Sequence, residues 1–189
     1  MNLFITDENF NNINFNEISL KKGEYECCHF QNCNFSETDL SGFIFSECHF
    51  VQCDISLVTV KNTIFRDSIF QNCKMLGLHF EECNEFGLTF SFENCILNHS
   101  MFYKTRIKKT VFKSSKLQEV DFSECDLTDS EFDKCDLSGA IFDNTNLEKV
   151  DFRTSCNFAI DPDKNKLKKT KFSSDNLSGL LNKYDIIID

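Results

Sequence analysis

The chain has 189 residues, 41% hydrophobic and 26% charged, with a net charge of −10. That is one domain's worth of chain, and 22 Phe exclude a disordered polymer. The acidic balance disfavours direct binding to nucleic acid, and no apolar run approaches the roughly 18 residues of a membrane span.

The N-terminus, Met1 to Asn9, has neither a basic start nor a long apolar stretch, so no secretory signal is expected. From Phe10 a period of five begins: Phe10, Phe15, Leu20, Tyr25, Phe30, Phe35, Leu40, Phe45, Phe50, Ile55, Val60, Phe65, Phe70, Met75 and Phe80. The phase slips by two residues across 81–91. It resumes at Phe92 and runs through Leu97, Phe102, Ile107, Phe112, Leu117, Phe122, Leu127, Phe132, Leu137, Phe142 and Leu147 to Phe152. A column of compact residues stands two positions earlier, among them Cys28, Cys33, Cys48, Cys53, Cys73, Cys95, Ser115, Cys125, Ser130, Cys135, Ala140 and Thr145.

Neither a helix, at about 100° per residue, nor a flat strand, which alternates faces, keeps a five-residue period on one side. A short straight run followed by a corner does. In the second half of the chain Phe and Leu alternate along the pentads. Four pentads per coil stack like on like, as in Phe102, Phe122, Phe142 and Leu97, Leu117, Leu137. The expectation is an all-β solenoid, a four-sided β-helix of twenty residues per coil rising about 4.8 Å.

The slip at 81–91 reads either as a tolerated packing defect or as a small protrusion carrying Phe86, Gly87 and Phe90. Asn157 and Pro162 fall at inward positions and break the coil over 153–171, and the period returns at Leu167 and Phe172. From Ser174 the pattern becomes that of a helix face, Leu177, Leu180, Leu181 and Tyr184, followed by a short strand at Ile186, Ile187 and Ile188. The expected organisation is a solenoid over 1–172 and a C-terminal segment over 173–189. That segment either caps the rod or joins two copies into a homodimer, and the apolar Ile run favours the dimer.

Most cysteines lie in the inward compact column, where thiols act as small hydrophobes, and unpaired thiols suit a cytoplasmic location. His29 and His49 are one coil apart and outward, too few ligands for zinc. No catalytic motif, metal site or cofactor fingerprint is present, and the expectation is a non-enzymatic protein without cofactor.

Charge is unevenly spread. Tyr103 to Lys116 holds six bases and no acids, and Leu117 to Phe152 holds 11 acids and 2 bases. That acidic block occupies just under two coils, about 9 Å of rod, and its net charge per length matches or exceeds that of duplex DNA, about one per 1.7 Å. It reads either as solubilising charge or as a DNA-mimicking surface made by Asp121, Glu124, Asp126, Asp129, Glu131, Asp133, Asp136, Asp143, Glu148 and Asp151.

Segments such as Cys125-Asp126-Leu127-Thr128-Asp129 and Cys135-Asp136-Leu137-Ser138-Gly139 resemble the repeating unit of pentapeptide-repeat proteins, and the resemblance covers about Phe10 to Phe152. It implies a right-handed quadrilateral β-helix. The ending Asn157 to Asp189, with Asp161-Pro162 and Leu180-Leu181, is similar to that of the Qnr and microcin-immunity subgroup. That likeness implies a homodimer joined at the C-terminus. It also implies a partner in DNA gyrase or topoisomerase IV, protected from quinolones or toxins.

Overall fold

The protein, seen in a computed structural model that describes residues 3–184 and 186–187, is a parallel β-solenoid with four sides. Each pentad makes one side. The compact residue and the large residue two positions on point into the core. The residue between them bridges the equivalent residue one coil away, as Asp121 does to Met101 and Ile141. The next two residues turn the corner. The second of them takes a left-handed φ, between 49° and 62° for the non-glycine residues, and its N–H donates to a carbonyl one coil on, as Glu124 does to Asp143 at 2.8 Å. Among the described residues no Val, Ile or Thr takes this left-handed φ, because a β-branched side chain tolerates it least.

We number the faces in chain order. Face 1 is centred on Tyr25, Phe45, Ile107, Leu127 and Leu147; face 2 on Phe30, Phe50, Phe92, Phe112 and Phe132. Face 3 is centred on Phe35, Ile55, Leu97 and Leu117, and face 4 on Leu40, Val60, Phe80, Phe102 and Phe122. On face 2 the rings stack without a break from Phe10 to Phe172, with centroids 4.7–5.6 Å apart. The spacing is that of neighbouring strands, so the backbone ladder and the aromatic stack reinforce each other.

The compact column also makes hydrogen bonds. Its thiols and hydroxyls donate to core carbonyls of the preceding coil: Cys53 Sγ to Phe30 O at 3.3 Å, Cys135 Sγ to Phe112 O at 3.3 Å, Thr145 Oγ1 to Phe122 O at 2.8 Å and Ser155 Oγ to Phe132 O at 2.7 Å. Cys, Ser and Thr therefore interchange here, since each fills a small volume and supplies a donor.

The slip is a coil with two extra residues: Phe70 pairs with Phe92. The chain leaves Phe80 through two 3-10 turns, Phe80–Glu82 and Glu85–Gly87, and the register shifts along the strand Ile64–Gln71. Gly87 is required because a Cβ there would lie 2.5 Å from Ile64 Cγ2. Phe86 is 89% exposed. Phe90, the other candidate for a protrusion, is instead buried against Phe80 and Phe92, in the inward compact position of face 2 where it pairs with Ser68 of the preceding coil.

The last coil differs from expectation at two positions. Asn157 does not point inward. It takes a left-handed φ of 61° and is exposed, and Phe158 fills the interior, 5.5 Å from Phe152 and 5.6 Å from Phe172. Pro162 is likewise exposed, and Ile160 supplies the apolar contact. Asn146 and Lys166, and Asp151 and Lys171, then restore the ladder.

The C-terminal segment forms 3-10 turns, Ser174–Leu180 and Asn182–Tyr184, in place of the expected α-helical face. The rod end dictates this. Asn176 Nδ2 donates to Phe152 O and Ser155 O, and Gly179 lies so close to Phe158 that a Cβ would meet its carbonyl oxygen at 2.5 Å. With three residues per turn the four leucine and tyrosine positions no longer share one stripe. Leu180 packs against the core, Leu181 is half-buried, and Leu177 and Tyr184 are exposed. Ile186 and Ile187 are exposed and form no strand; Ile188 lies outside the described residues.

Candidate functional site

The acidic residues of 121–151 all lie outside the core, because every inward position of those coils is taken by the apolar and compact columns. The coil path then distributes them around the rod. Asp121 stands on face 4, Asp126 on face 1, Glu131 and Asp151 on face 2, and Asp136 on face 3. Glu124 and Asp143 occupy the corner between faces 4 and 1, Asp129 and Glu148 the corner between faces 1 and 2, and Asp133 the next corner. The carboxylates form a belt that encircles the rod, which the linear sequence does not reveal.

Half of the belt is matched by bases. Lys104 pairs with Glu124 at 3.5 Å, Lys108 with Asp126 at 3.0 Å, Lys149 with Asp129 at 3.4 Å and Lys164 with Asp143 at 3.5 Å. Asp151 holds Arg153 at 2.8 Å and Lys171 at 3.4 Å. The basic run 103–116 thus faces the acidic coil that follows it, and coil stacking turns a separation of about twenty residues into contact. Exposed pairs of this kind contribute about 0–1 kcal/mol each, so they trim the local field more than they stabilise the rod.

Two carboxylates have firmer roles. Asp136 is pulled up by partial burial, but hydrogen bonds from Ser138, Asn157 and Gln118 outweigh that and hold its carboxyl at about 2. Asp151 is likewise held at about 2, chiefly by the Arg153 guanidinium, against partial burial, with the Arg153 N–H and Lys171 helping. Asp121, Asp126 and Asp136 each accept the backbone N–H two residues on, at 2.8–3.2 Å, and so fasten their own corners.

The structure pairs no cysteines among the described residues; Cys156 is exposed, Cys27 is half-buried and the rest are buried. Burial pushes the thiols of Cys48, Cys125 and Cys135 up to about 12, which keeps them neutral. His29 and His49 sit in register on adjacent strands with ring centroids 4.8 Å apart, and no group of three or more metal ligands converges among the described residues. Among those residues, no helix is long and apolar enough to cross a membrane.

Residues 24–91 and 88–161 match the family described as pentapeptide repeat region, and the chain belongs to that family. The fold is shared with solved structures at low identity. A trypsin-treated variant of QnrB1, a plasmid-mediated fluoroquinolone resistance protein, is 17% identical, with 98% of this chain and 100% of that chain covered and a TM-score of 0.64. HetL, a pentapeptide repeat protein involved in heterocyst differentiation regulation from the cyanobacterium Nostoc sp. strain PCC 7120, is 14% identical, with 91% and 88% covered and a TM-score of 0.68. No curated protein matches the chain in sequence.

Proposed function

We propose that this protein is a non-enzymatic, acidic binding rod of the cytoplasm that engages the DNA-binding saddle of a type II topoisomerase, DNA gyrase or topoisomerase IV, in place of DNA. In doing so it would protect the enzyme from quinolones or toxins. The observation that carries this reading is the belt at Asp121 to Asp151. Its formal charge per length, before the pairing bases of the neighbouring coils are counted, reaches that of a duplex, it surrounds the rod as phosphates surround DNA, and a saddle that wraps its ligand would meet it on several faces at once. Likeness in fold to a fluoroquinolone resistance protein supports the same choice of partner. The exposed Leu177, Tyr184, Ile186 and Ile187, beside the partly buried Leu180 and Leu181, would join two copies end to end and bring two belts towards the middle of one longer rod. Phe86, at the tip of its turn, is an additional exposed anchor for the partner.

A second reading, a scaffold or effector with another protein partner, is favoured by the five carboxylates of the belt already matched within the chain and by the different role of HetL on the same fold.

A supercoiling assay with and without a quinolone separates the two. The topoisomerase reading requires inhibition or rescue at micromolar protein. Replacing Asp121, Asp126 and Asp136 together by Asn keeps the oxygen that fastens each corner, and should weaken binding and flatten its salt dependence. The same change at Asp7, Glu8 and Glu17 should matter less. Equal binding by the two triple variants, or no binding by the parent at low salt, refutes the reading.

A further inference from the structure

The corner between faces 1 and 2 carries one ladder along the rod: Asp7, Cys27, Glu47, Asp67, Thr89, Lys109, Asp129, Lys149 and Lys169. All but Thr89 have the left-handed φ of a corner. The ladder is acidic in its first half and mainly basic in its second. Its neighbours repeat the polarity. Glu8, Glu24 and Glu26 lie beside the first half, with Arg66 the opposing base, and Arg106, Lys108, Lys166, Lys168 and Lys171 lie beside the second, with Asp126, Glu131, Glu148 and Asp151 opposing. Asp7, Glu47, Asp67, Lys109 and Lys169 are exposed, and none makes an ion pair among the described residues. Five unmatched charges therefore lie along one edge, acidic towards one end and basic towards the other. Coil stacking creates this arrangement, which no contiguous stretch of sequence displays.

We infer that this edge is a contact between two copies of the chain lying side by side and antiparallel. A two-fold axis placed between Asp67 and Thr89 sets Glu47 against the partner copy's equivalent of Lys109, and Asp7 against that of Lys149. Asp67 then faces Thr89, and Cys27 faces Asp129. In this register no like charges of the ladder coincide, and two-fold symmetry makes each attraction twice. Around the axis the edge has apolar shoulders, Ile64 on face 1 and Ile69 and Val111 on face 2, so an apolar centre is bordered by complementary charge. A parallel arrangement in register would set acid on acid and base on base.

The inference does not depend on the topoisomerase reading. Sedimentation of the full chain at low salt should show self-association that weakens in about 1 M salt, where the Debye length falls to about 3 Å. Glu47→Lys and Lys109→Glu each turn two attractions into repulsions, and each should weaken association by about tenfold or more. The combined variant should restore it. Lysine and glutamate already occupy this corner position elsewhere in the rod, so both exchanges fit the backbone; the far-ultraviolet β signal checks that they do. Leu180→Asp, at the rod end, should leave the lateral contact intact. A chain monomeric at low salt overturns the inference. So does association indifferent to both reversals, a combined variant no better than the single ones, or loss of all association in Leu180→Asp.

Discussion

Phe122→Ala tests the assigned register most directly. Phe122 is fully buried, stacked between Phe102 and Phe142 at 5.2 Å on either side, and meets Phe112 and Phe132 edge-on at 6.0 and 5.8 Å. Removing the ring deletes roughly 150 Å² of buried apolar surface, about 4 kcal/mol at about 25 cal/mol per Å². The usual cost of Phe to Ala in a core is about 3–5 kcal/mol, and stacked coils on both sides leave the cavity little room to collapse. Each coil contacts only its neighbours, so the damage should centre on the coils of Phe102 and Phe142. Urea unfolding followed by far-ultraviolet circular dichroism should show a lower midpoint with an unchanged slope. Ser123→Ala, one residue on and half-buried, should stay within about 0.5 kcal/mol, because its structural bond, from its backbone N–H to Asp121 Oδ1, survives. Equal losses from the two variants would refute both the inward assignment and the packing argument built on it.

Asp136 and Asp151 have folded pKa values depressed to about 2, so the stability they contribute is present above the ordinary carboxylate pKa of about 4 and is lost as pH falls towards about 2. With solvent screening taken into account, each is worth roughly 1 kcal/mol, and Asp136→Asn should flatten the acid limb of a stability–pH curve. Gly179→Ala should release the C-terminal segment while the solenoid stays folded, because a Cβ collides with the Phe158 backbone; faster amide exchange confined to 173–184 is the expected readout. Leu180→Asp should abolish the proposed end-to-end dimer and leave a folded monomer at high salt, with light scattering as the check. Unchanged mass relative to a dimeric parent would exclude that contact.

The sequence by itself determined the period, the four sides and the identity of the core. An inward position recurs every five residues, and a misplaced polar side chain there would be buried without a partner, so selection for burial writes the fold directly into the chain. It also located the insertion at 81–91, because a two-residue change of phase is visible in any strictly periodic pattern. Three things were decided only in three dimensions. At both irregular coils the chain chose which aromatic to bury: Phe90 and Phe158 went inward and Asn157 took the corner, because packing at a break depends on the space left by neighbouring coils. The C-terminal leucines, spaced for an α-helix, were wound into 3-10 turns because the last coil offers carbonyls to Asn176 and a flat contact to Gly179. Charge was rearranged most. The block at 121–151 reads as one acidic stretch, yet coiling wraps it around every face and sets Lys104, Lys108 and Lys164 against it, while aligning Asp7, Glu47, Lys109 and Lys169 on a single edge. Outward positions carry no burial constraint, so their chemistry becomes legible only when residues twenty apart are brought within about 4.8 Å of one another.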